Sequence, residues 1–175
     1  MDHVRDEAIH TDGMGGRITI LEAGDEVRPM RFRMVMPKGF GPPAPECHPS
    51  QREDFVVIRG VLDLGNVDGR RVVLAAGDRF SLPSGTYHLP RNGGDGELEF
   101  EATLTPGKDS APMFEALYAA TREHRGLGRF ARVAMVFRHH RSAITFPFPV
   151  RSVMALVSWV GRAIGLRAPL GLGRK

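Results

Sequence analysis

Cysteine is almost missing from this chain: Cys47 is the only one in 175 residues, which rules out an intramolecular disulfide framework and permits a reducing compartment. The cytoplasm is therefore the expected location. Met1-Asp2-His3-Val4-Arg5-Asp6-Glu7 carries acids and no apolar run of secretory length follows it, so a signal peptide and export are not expected. Long apolar runs are absent too. The uncharged stretch 152–161 is too short to span a bilayer and is bounded by Arg151, Arg162 and Arg167. No helix-turn-helix, zinc-finger or RNA-recognition signature is present, and no internal repeat. Ordinary fractions of hydrophobic residues, 42%, and charged residues, 25%, exclude a globally disordered or fibrous chain. The length suits one domain with an appendage better than two domains.

Acid is scarce in one part only. Residues 1–105 hold 12 Lys and Arg against 17 Asp and Glu, whereas residues 106–175 hold 12 against 3, so a segment of net charge −5 precedes one of +9. The two parts face different surroundings. Arginine supplies 21 of the 24 basic residues, a bias that a GC-rich genome also produces, so the count alone identifies no partner.

Between Arg17 and Thr105 the chain alternates apolar and polar residues and is broken by Gly, Pro, Asn and Asp, the pattern of short antiparallel strands. In 29–36, Met30, Phe32, Met34 and Met36 share one face. Leu98, Phe100, Ala102 and Leu104 do the same against Glu97, Glu99, Glu101 and Thr103. Further strands are expected at 54–64, 70–75, 79–82 and 86–90, and this many in so short a span points to a sandwich or barrel. After Pro106-Gly107 the period changes. Helices are expected at 112–125, with Gly126 as the stop, then at 127–141 and 150–166. The predicted organisation is an N-terminal arm (1–16), a β-barrel (17–106) and a basic helical extension (107–175).

The chemistry gathers in 46–60 and 77–92. On an extended segment Glu46 and His48, two apart, point to one face, and Glu53 can return to it after a short turn. With His88 from a later strand, His48 and Glu53 can form a facial triad for a divalent first-row metal. The spacing here resembles the cupin superfamily. Its second motif, G-x5-P-x-G-x2-H-x3-N, is matched at every specified position by Gly77, Pro83, Gly85, His88 and Asn92. Its first, G-x5-H-x-H-x(3,4)-E-x6-G, is matched by His48, Glu53 and Gly60, with Glu46 where the first histidine would stand and the leading glycine displaced to Gly39 or Gly41.

The resemblance covers 30–105 and implies a mainly β fold, the double-stranded β-helix or jelly-roll barrel, here followed by C-terminal α-helices. It implies that His48, Glu53 and His88 bind metal and, by position, that Glu46 is the fourth ligand. An alternative role for Glu46 is a general base beside a three-ligand metal. Carboxylate in place of imidazole favours iron, manganese or zinc, with nickel or copper less favoured. A homodimer is the family expectation. Phe55 and Val57 share parity with Glu53 and, with Phe32, Met34 and Phe100, are expected to line an apolar pocket. Tyr87 and Cys47 alternate away from it.

The function read from this is a metal-dependent cupin enzyme acting on a hydrophobic small molecule, by isomerase or cyclase, dioxygenase or lyase chemistry. The alternative is a non-catalytic cupin that binds such a molecule as a sensor or carrier. For the extension three readings compete. The helices pack on the barrel or a second subunit through Phe114, Leu117, Phe130, Val136 and Phe137; or 143–175 attach to an anionic membrane surface, making the protein peripheral to the membrane; or, on charge alone and least favoured, they bind nucleic acid.

Overall fold

The computed structural model describes residues 8–11 and 15–169. The fold is mainly β, with three helices after the last strand. The strands β1 (Ala8–Thr11), β2 (Arg17–Glu22), β3 (Met30–Met36), β4 (Arg52–Arg59), β7 (Arg79–Leu82) and β9 (Leu98–Thr105) form a six-stranded antiparallel sheet in the order β1-β2-β3-β9-β4-β7. A second sheet contains β6 (Arg70–Ala75), β5 (Val61–Val67) and β8 (Arg91–Asn92) in that order. Then come α1 (Ser110–Glu123), α2 (Gly126–His139) and α3 (Val150–Ala163).

β9 sits at the centre of the larger sheet, and its alternation explains the register. Leu98, Phe100, Ala102 and Leu104 are all buried inward, opposite Met36, Met34, Phe32 and Met30 of β3. Outward, Glu101 pairs with Arg33 at 2.7 Å and with Arg31 at 3.5 Å, while Arg59 pairs with Glu97 and Glu99. A slip by one residue would put these carboxylates into the core, so burial fixes the pairing and the exposed ion pairs add little.

Two strand expectations need correction. The run 54–64 is not one strand: it divides at Gly60, where β4 leaves the large sheet and β5 enters the small one. Gly60 has φ +84°, and a Cβ there would lie 2.7 Å from the Glu97 carbonyl oxygen, so the corner requires glycine. The stretch 86–90 is not a strand either. Pro90 has no donor to offer a ladder, and only His88 forms a bridge, with Glu46. The short β8 follows instead.

The helices arise near the predicted places, but Gly126 opens α2 rather than closing α1, which ends at Glu123 before two residues of extended chain. α1 lies over the large sheet: the Phe114 and Phe32 rings are 5.0 Å apart, and the Tyr118 hydroxyl donates to Met34 Sδ at 3.0 Å. Gln51, fully buried before β4, locks this arrangement. Its amide nitrogen lies 2.7 Å from the Pro106 carbonyl oxygen, 2.9 Å from that of Gly107 and 2.9 Å from Ser110 Oγ, which ties the strand to the start of α1. A second apolar cluster joins Met113 and Ala116 of α1, Val136 of α2 and Ala143, Ile144 and Phe146 beyond it. Of the residues expected to pack here, Phe130 is the exception, with much of its ring exposed. Among the described residues no helix is long and apolar enough to cross a membrane.

Candidate metal centre

Three segments converge to build the site. The extended piece at 46–48 is paired on both sides: Glu46 and His88 exchange backbone hydrogen bonds of 2.8 and 2.9 Å, and Cys47 and Thr145 exchange bonds of 3.0 and 2.9 Å. β4 supplies Glu53. The turn before His88 is held by Gly85, whose φ of +78° lets its N–H donate to the His48 carbonyl oxygen at 2.8 Å. Motif residue Asn92 anchors the other side, donating from Nδ2 to the Met36 and Gly96 carbonyls at 2.9 and 2.7 Å and accepting from the Gly94 N–H at 3.0 Å.

These supports bring Glu46, His48 and His88 together, so that one donor atom from each lies within 4.8 Å of the others. Glu53 joins them: its Oε2 is 3.4 Å from His48 Nε2 and 3.1 Å from His88 Nε2. Both imidazoles are oriented from behind. His48 Nδ1 is 2.6 Å from the Ala143 carbonyl oxygen and His88 Nδ1 is 3.2 Å from that of Thr86. A carbonyl accepts only, so each Nδ1 carries the proton, and in the neutral ring each Nε2 presents a lone pair to the shared centre. Glu53 Oε2 and His88 Nε2 are buried without an aligned hydrogen-bond partner among the described residues. Sealed polar atoms aimed at one another in this way fit a cation between them.

The electrostatics agree. Burial pushes the Glu46 carboxyl up, only partly opposed by the two imidazoles. Burial would also raise Glu53, but His48 and His88 outweigh it and the net shift is downward. Burial alone would lower His88, yet Glu53 and Glu46 outweigh it and carry it up to about 9. The cluster therefore draws in positive charge. Cys47 is buried, its thiol pushed up by burial, and it lies off this centre beside Tyr87.

The centre borders a cavity of about 360 Å³, within the size range of small-molecule sites. Glu46, His48 and Glu53 reach it, and Phe32, Met34, Phe55 and Phe100 line it as their parity predicts. Val57 does not. It points inward like Phe55 but is packed in the barrel core away from the cavity, because parity sets direction and not depth. The sequence reading missed the opposite wall, where Phe114, Leu117, Phe130, Val133 and Phe137 of α1 and α2 close the space and Arg129 supplies a cation. It also missed that the extension orients a candidate ligand, through Ala143 and His48. The apolar residues of α1 and α2 were visible as a helical stripe, but no local signal marks a backbone carbonyl as a histidine's partner.

The family profile described as Cupin domain matches residues 32–108. A solved RmlC-like cupin from Shewanella frigidimarina is similar in fold, with a TM-score of 0.51 and 24% identity over 63% of this chain and 96% of that one. KdgF from Halomonas sp. also gives a TM-score of 0.51, with 17% identity over 60% and 93% of the two chains. No curated protein matches the sequence.

Proposed function

We propose, from the premise that this chain carries a domain of the cupin superfamily over residues 32–108, that its barrel is a metal-dependent enzyme site for an apolar small molecule. One observation carries the reading. Two imidazoles, each with Nδ1 on a backbone carbonyl, turn their Nε2 atoms toward two carboxylates at the edge of an apolar cavity. His48, His88, Glu53 and Glu46 would hold the ion. Two hard carboxylates beside two imidazoles favour iron, manganese or zinc. When bound, such an ion supplies Lewis-acid chemistry or, for iron, electron transfer to dioxygen.

The chain's own residues do the rest. Phe32, Phe55, Phe100 and Phe114 exclude water and seat a hydrophobic substrate, for which aromatic walls suit a planar or aliphatic body. Where His48, His88 and Glu53 hold the ion without it, Glu46, on the cavity wall with its carboxyl pushed up by burial, is the group positioned to take a proton from the substrate and return it. The ion's identity sorts the reaction: zinc leaves isomerisation, cyclisation or elimination, and iron adds dioxygenation.

Elemental analysis of untagged protein, made in metal-supplemented medium and never exposed to chelator, tests this. About one equivalent of iron, manganese or zinc is expected, lost in His88→Ala and His48→Ala. Glu46→Gln separates its two roles, since a ligand's loss lowers metal content whereas a base's loss leaves it unchanged. Metal content unchanged in His88→Ala, or none after reconstitution, refutes the reading and leaves the non-catalytic sensor or carrier.

A further inference from the structure

No Asp or Glu occurs after Glu123, while ten Lys and Arg do. Within this acid-free stretch α3 has two apolar sides. One packs on α2, where Gly161 sits so close that a Cβ would come within 2.8 Å of Met135 Cε and 3.3 Å of Ala131 Cβ. The other faces solvent. Val153 is 50% exposed, Leu156 61%, Trp159 68% and Val160 43%, all on one helical face, and Ile164 just beyond the helix is 70% exposed. Such a contiguous outward apolar face calls for something to cover it.

Beside it lies a cleft of about 730 Å³ lined by Arg138, Arg141 and Arg151 together with Ser152 and Ala155 of α3. Leu156 and Trp159 stand one helical turn after Ser152 and Ala155, so the cleft and the apolar face are continuous. No carboxylate forms an ion pair with these three arginines among the described residues. Asp109 approaches the cleft's edge, with its Oδ2 3.5 Å from Ser142 Oγ. The cleft is therefore cationic and its neighbour is greasy.

We propose that α3 and the arginine cleft form a docking surface for an anionic phospholipid membrane. Phosphate headgroups would occupy the cleft, while Leu156, Trp159, Val160 and Ile164 enter the boundary between headgroups and acyl chains. Charge decides against the other occupants. A second copy pairing symmetrically through this same face, as closed dimers do, would bring arginine toward arginine, with no acid on α2 or α3 to meet it. A nucleic-acid backbone would satisfy the arginines but leave the exposed aliphatic row without a partner.

The test uses the full chain with vesicles of phosphatidylcholine alone or mixed with phosphatidylglycerol, read by co-sedimentation and by Trp159 emission. Trp159 is the chain's single tryptophan, so its fluorescence reports on α3 alone. Binding to the anionic vesicles is expected to be at least about tenfold tighter than to neutral ones, with a blue shift. Arg138→Gln, Arg141→Gln and Arg151→Gln should each weaken it roughly fivefold at low salt. Leu156→Ser with Val160→Ser should abolish the blue shift while circular dichroism stays native, because both positions are already exposed.

The proposal is overturned by equal binding to neutral and anionic vesicles, by pelleting without a Trp159 shift, or by a concentration-dependent dimer that Leu156→Ser with Val160→Ser dissolves, which would assign the face to a second copy. A Trp159 response to inorganic phosphate in the absence of any vesicle response would instead make the cleft a site for soluble anions.

Discussion

Both sheets turn apolar residues into the core, yet the cavity borders strands of only one of them. Leu62, Leu64, Val67 and Leu74 of the small sheet are packed solid. On the large sheet Phe32, Met34, Phe55 and Phe100 are just as inward-facing but border open space. The difference lies in what covers them. Six strands face three, so part of the large sheet is covered by α1 and α2 instead of by β-structure, and helices with Phe114, Leu117 and Phe130 at the seam do not fill the volume that a facing sheet would. The cavity is where helix replaces strand.

The strongest challenge to this division is a crossed pair of substitutions. Leu62→Ala, in the solid half, should cost about 2 to 5 kcal/mol of stability and leave the metal content of the folded protein unchanged. His88→Ala should weaken metal binding by more than the roughly 100-fold that loss of an outer-shell partner costs. Denaturant titration and metal analysis on both variants read this out. If Leu62→Ala strips metal as effectively, the two halves are one cooperative unit and the division fails.

Next in size is a pH effect confined to the site. In the chelated protein His88 titrates near 9, above the value of about 6.5 expected when unfolded, so its contribution is complete below the lower value. It is lost as pH rises through 9. The stability involved is on the order of 3 kcal/mol, so the melting temperature of metal-free protein should fall between pH 6.5 and 9. His88→Ala should lack that fall. A wild-type curve flat across this range would show that the Glu53 and Glu46 carboxylates do not hold the proton there.

A smaller effect sharpens the role of the helical cover. Phe114→Ala should cost only about 1 to 2 kcal/mol, less than the 3 to 5 typical of a fully packed phenylalanine, because its ring already borders open space. The same change should increase uptake of an apolar fluorescent dye. A loss as large as that of Leu62→Ala would mean that α1 is as tightly packed as a strand.

Much of this was legible from the residues. The alternation of β3 and β9 defined the inward faces, and the second motif identified the turn that presents His88, because glycine at 85 and proline at 83 leave a mark in sequence. Gly60 was legible as a motif position but not as a corner between sheets, since its reason is the approach of the Glu97 carbonyl from a strand far along the chain. The strand expected at 86–90 failed because alternation does not register that Pro90 brings no donor to a ladder, which leaves His88 with a single bridge. Val57 was misplaced because depth along a barrel depends on what stands opposite. The clamp of Ala143 on His48 spans 95 residues and involves a main-chain oxygen, which no side-chain pattern can announce.

The outer face of the large sheet offers the smallest effect and the cleanest contrast with the inner one. Glu101 meets Arg33 and Arg31 there, all three partly in water, so their attraction is screened and holding long side chains in place offsets part of it. Glu101→Gln should therefore change stability by less than about 1 kcal/mol. That loss should shrink further when salt is raised, since the ions would already have weakened what the substitution removes. Denaturant midpoints for wild type and variant at low and high salt provide the check. A loss above 2 kcal/mol that persists at high salt would mean that the outer carboxylates, and not the burial of Phe100 and Leu104, hold β9 in register between β3 and β4.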